Sequence, residues 1–93
     1  MIDTARPIAH FLGFTALLRR AGFAVARLRR EPLAKHPGIA EAVEWAEAAT
    51  LLNEQGAHWP AAFRRSLGVV LKDEDDLVHI APRIDAILAE AQA

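Results

Sequence analysis

Apolar residues recur at three- and four-residue intervals along most of the chain, and the runs end at prolines or glycines. That pattern leaves room for helices and turns and for little else. The β-branched run "GVVL", residues 68–71, falls inside a helical period, so no strand is expected. Alanine supplies much of the apolar content and favours helix. The spacing therefore predicts an all-α fold, a small bundle of four or five helices with short connections. Ninety-three residues without an internal repeat or a linker suit one domain, 1–93, with a modest core.

A first helix is predicted from about Thr4 or Arg6 to Ala21, capped by Asp3 or Thr4, with Pro7 in its first turn. Its stripe is Ile8, Phe11, Leu12, Thr15 and Leu18, widened by Phe14 and Leu17. Gly22 is expected to stop or kink it. Residues 23–31 form a second helical piece with Phe23, Val25, Ala26 and Leu28 inward and Arg27, Arg29 and Arg30 outward. "PLAKHP", residues 32–37, reads as an extended connector, because residues before prolines avoid the helical region. The next helix runs from Gly38 or Ile39 to Asn53. Ile39, Val43, Ala46 and Ala49 are its expected core stripe, and Trp45, Ala49 and Leu52 broaden it. "WPAAFRRSLGVVL" continues as a helix with Pro60 at its start and Trp59, Phe63, Leu67, Val70 and Leu71 on one face. Pro82 divides the last stretch into a short helix at 75–80 and a final one at 81–91.

Several kinds of chemistry find no support. There is no cysteine, which removes disulfides, thiolate metal sites and cysteine nucleophiles. No two of His10, His36, His58 and His79 stand three or four residues apart, and no metal site is expected. "DEDD", residues 73–76, fails as a calcium loop: position six is Val78 and position twelve is Ile84, where glycine and glutamate belong. It reads instead as a helix start. No glycine-rich phosphate loop occurs. Ser66, the one serine, reads as a surface residue, and no catalytic residue is assigned. No apolar run is long enough to span a membrane, and the first residues lack the order of a signal peptide, so a cytoplasmic chain is expected.

Charge is divided along the chain. Residues 1–36 hold seven Lys/Arg against two acids, and residues 37–93 hold four against ten. Helix, glycine and arginine-bearing helix superficially suggest a DNA-binding unit. The pI near 6.4 and the lack of Asn or Gln in the basic segment weigh against nucleic acid. A small helical protein-interaction or DNA-binding protein is the alternative reading.

"LRREPLAKHPGIAEAVEWAEAATLL", residues 28–52, followed by "SLGVVLKDEDDL", residues 66–77, resembles the C-terminal helical lid of MoxR-type AAA+ ATPases. The closest likeness is to the branch encoded beside von Willebrand-factor-A proteins. The residues that carry it are Leu28, Arg29, Lys35, Pro37, Gly38, Ile39, Ala40, Glu41, Trp45 and Ala46. A second set is Ser66 to Lys72, with Asp76. The resemblance covers about residues 24–80. It implies a lid that packs over nucleotide held by a separate α/β core and touches neighbouring subunits. It also implies work in chaperone-like remodelling, often of metalloenzymes, with a von Willebrand-factor-A protein as a possible partner. ATP enters only with such a core, because this chain has no Walker motif. The helical arginine that lids commonly offer to the nucleotide is missing between Gly38 and Gly56. Lys35 is the nearest substitute, with Arg29 and Arg30 as further nucleotide-proximal or partner-facing cations. A phosphate beside Lys35 at the helix N-terminus is one reading of this position, and a plain surface lysine in a loop is the other. Trp45, Val43, Ile39, Leu67 and Val70 are the expected structural core.

Overall fold

The computed structural model describes residues 5–90, with side chains from His10 onward. The cap expected at Asp3 or Thr4, and the side chains of Pro7 and Ile8, lie outside the described part. The fold is all-α: α1 (Ala5–Leu28), α2 (Ile39–Glu54), α3 (Trp59–Arg65), the single turn α4 (Leu67–Val70), α5 (Glu74–Ile80), a 3-10 turn (Ala81–Arg83) and α6 (Ile84–Glu90). Among the described residues there is no strand, and no helix is long and apolar enough to cross a membrane.

α1 and α2 form an antiparallel hairpin. His10 of α1 pairs with Glu54 at the far end of α2, and Val25 of α1 lines the same groove as Ile39. α1 runs through Gly22 without a break and ends at Leu28, so the two expected helices are one. The cost of a glycine in a helix interior, about 1 kcal/mol, is outweighed by burial of Leu17, Ala21, Ala24, Val25 and Leu28 along one face. Pro32 provides the stop instead. A Cβ added at Gly22 meets open space. Gly22→Ala should therefore raise stability by about 1 kcal/mol in urea denaturation.

The rotation of α2 differs from the expected stripe. Ala42, Trp45, Ala46, Ala49 and Thr50 are buried, whereas Ile39 is 84% exposed and Val43 only half-buried. The cause is the unequal size of the inward residues. Trp45 turns wholly into the core against Phe63 of α3, their rings meeting edge to face with centroids 4.9 Å apart. Three alanines then face inward around it, a rotation that leaves Ile39 outside. Leu67 and Val70 join the same core as Trp45, as expected. On α1, Phe11, Leu12 and Phe23 prove exposed, and the expected inward Ala26 is exposed as well.

"WPAAFRRSLGVVL" breaks at Ser66 into α3 and α4. Ser66 is buried, not a surface residue, and its hydroxyl donates to the carbonyl of Ala62 at 2.6 Å. That back-bond competes with the helical ladder and accounts for the bend. Gly56, with φ +105°, turns the chain from α2 toward α3 in a conformation that favours glycine. Pro82 divides the last stretch as expected, with a 3-10 turn between α5 and α6.

Candidate functional site

The connector between α1 and α2 carries Lys35, and α1 ends beside it. Two buried carboxylates fix its shape. Asp76, only 4% exposed, accepts from the backbone N–H of Ala34 at 2.9 Å and of Lys35 at 3.0 Å. The Ala34 N–H holds the Asp76 carboxyl below its ordinary range. Burial opposes that effect, and the Lys35 N–H adds to it. α5 aims this carboxylate because Asp73 caps the helix, accepting from the N–H groups of Asp75 and Asp76. "DEDD" is thus a helix start, as expected, and its last aspartate also ties α5 to the connector.

Glu31 is the second. It is 5% exposed and meets Arg27 at 3.0 Å, Arg83 at 2.6 Å and His79 at 3.7 Å. Burial pushes its carboxyl up, but Arg83 and Arg27 together hold it below the ordinary range. The His36 ring reaches back to the Glu31 carbonyl at 2.9 Å. Glu31 therefore joins the end of α1 to α5 and the 3-10 turn.

Sequence reasoning missed both roles. Asp76 stands in a run of four acids, and although the resemblance singles it out, that gave it neither burial nor a partner. Glu31 carried a signal: it is the one acid between Thr4 and Ala40, set among six arginines and a lysine. An acid so isolated in a basic segment is well placed to serve as the shared partner of cations.

Lys35, Arg29 and Arg30 all lie at the end of the bundle where α1 finishes and α2 begins, and all three are exposed. Among the described residues, none of them forms an ion pair. Arg29 borders an open apolar groove of about 440 Å³ between α1 and α2, next to Gly38 and Ile39. Lys35 is not part of that lining. At the N-terminus of α2, Glu41 accepts from the Gly38 N–H at 3.0 Å. Its own backbone N–H and that of Gly38 hold its carboxyl below the ordinary range. The chain thus supplies its own anion where the sequence suggested a phosphate, and a bound phosphate would have to compete with Glu41. Ile39 and Val43, expected in the core, instead belong to the groove wall.

Among the described residues no group of three or more histidines and acids is placed to hold a metal. No protein-family model matches the chain, and neither a characterised relative nor a solved structure matches it.

Proposed function

We propose that the chain is a non-catalytic, lid-like helical module of a MoxR-type AAA+ ATPase, as part of a longer ATPase or as a separate chain. It packs on an ATPase core and aids nucleotide-linked remodelling or metalloenzyme maturation in the cytoplasm. The core or neighbouring subunits are its direct partners, with a von Willebrand-factor-A protein as a further one, and ATP enters only with the core. One observation carries the reading. Asp76, from the second segment that resembles the lid, binds the backbone of Lys35 in the first. The two segments form one unit that presents Lys35, Arg29 and Arg30 at one end. A cation projecting from an anchored backbone loses less freedom on meeting an anion than one on a loose loop.

Calorimetric titration of the purified chain into a MoxR-type ATPase core, with and without ATP, tests the proposal. Binding that requires ATP and weakens at least tenfold in Lys35→Ala is the expected result. No binding under either condition would overturn it.

A further inference from the structure

We infer that the α1–α2 groove is closed by a second copy of the chain, two hairpins pairing about a two-fold axis into a four-helix bundle. This inference does not rest on the lid reading.

The groove is built from Leu18, Gly22 and Val25 of α1 and Ile39, Ala42 and Val43 of α2. Its lip is apolar and open to solvent: Ile39 is 84% exposed, and Leu18 and Val43 are half-buried. Such a face calls for a cover. The charges beside it indicate which one. Arg29 lies at one end. Toward the other end, one turn beyond Val43 on α2, comes Glu47. Both are exposed, and neither has an ion-pair partner among the described residues.

The register of the hairpin fixes their separation. His10 stands beside Glu54, and Val25 and Ile39 line the same groove. On that antiparallel register Glu47 lies level with Leu17, about 18 Å along the axis from Arg29. The seam is therefore basic at one end, apolar in the middle and acidic at the other. A seam with that polarity complements itself when turned end for end. A two-fold axis midway, near the level of Gly22 and Phe23, sets Arg29 of each copy level with Glu47 of its partner. The same operation brings the exposed Ile39 of each copy level with Ala21 and Gly22 of the other, where the glycine leaves open space for it. Each contact occurs twice.

Sedimentation equilibrium of the full chain, over a wide concentration range, reads this directly. The expected mass is twice 10.2 kDa. Arg29→Glu and Glu47→Arg each place two like-charged pairs across the interface, and each should raise the dissociation constant at least tenfold. The double variant exchanges the charges and should recover most of the affinity. Both positions are exposed, so circular dichroism should show all three variants as folded as the parent. A chain that stays monomeric at every concentration overturns the inference. So does a dimer indifferent to both single substitutions, which would use another face.

Discussion

Trp45→Ala should lower stability by about 3–5 kcal/mol. A chain of 93 residues has only about 5–14 kcal/mol in total. Trp45 is wholly buried and its ring stands edge-on to Phe63, which in turn meets Trp59 edge to face at 5.9 Å. Its Nε1–H donates to the Phe63 carbonyl at 3.1 Å, at a position where α3 has nearly ended. Truncation removes the ring, leaves a cavity between α2 and α3, and costs that carbonyl its indole donor. Trp45→Phe keeps most of the packing and loses the hydrogen bond, so its cost should be about 1–2 kcal/mol. Urea denaturation followed by circular dichroism separates the two. Equal losses in both variants would mean that the bond, not the packing, dominates.

Asp76→Asn should have the next largest effect, lowering the melting temperature by about 5–10 °C. Two backbone N–H groups point at this side chain, one at each oxygen. An amide offers one oxygen and sets an NH₂ group against the other donor. The neighbouring Asp75→Asn is the control, since Asp75 is exposed. The pH dependence follows from the same bonds. The folded chain holds the Asp76 carboxyl below its ordinary range, so the unfolded chain takes up the proton first as pH falls. The contribution of Asp76 is complete above the ordinary carboxylate range and is lost below about pH 4 as the pH falls through the lower folded value. Glu31 and Glu41 shift in the same direction and add to the loss. Asp76→Asn should therefore flatten the decline of stability over that acid range, whereas Asp75→Asn should leave it unchanged.

Helix existence was legible because periodicity and breakers agree. Pro60 and Pro82 mark the helix start and the break that the structure shows, and Trp45, Leu67 and Val70 meet in one core. Helix rotation was not legible. Alanine packs well on either side of a helix, so an alanine-rich α2 reads almost equally well in several rotations, and the partner of Trp45 decides among them. That is why Ile39 and Val43 moved from the expected core to the groove. Gly22 misled for a related reason: a glycine inside a helical period is as compatible with a continuous helix as with a stop. The candidate site was legible only as a set of cations. What fixes Lys35 is a carboxylate 41 residues away in sequence, a contact that no local pattern encodes.

Asp76 anchors the backbone beneath Lys35 and so ties α5 to the connector that carries the cationic end. Amide hydrogen exchange at Ala34 and Lys35, read residue by residue by NMR, tests it most directly. Both amides should exchange slower than in an unstructured peptide by roughly tenfold or more, and Asp76→Asn should abolish much of that protection. Exchange at the unprotected rate in the parent chain, or protection unchanged in Asp76→Asn, would contradict it.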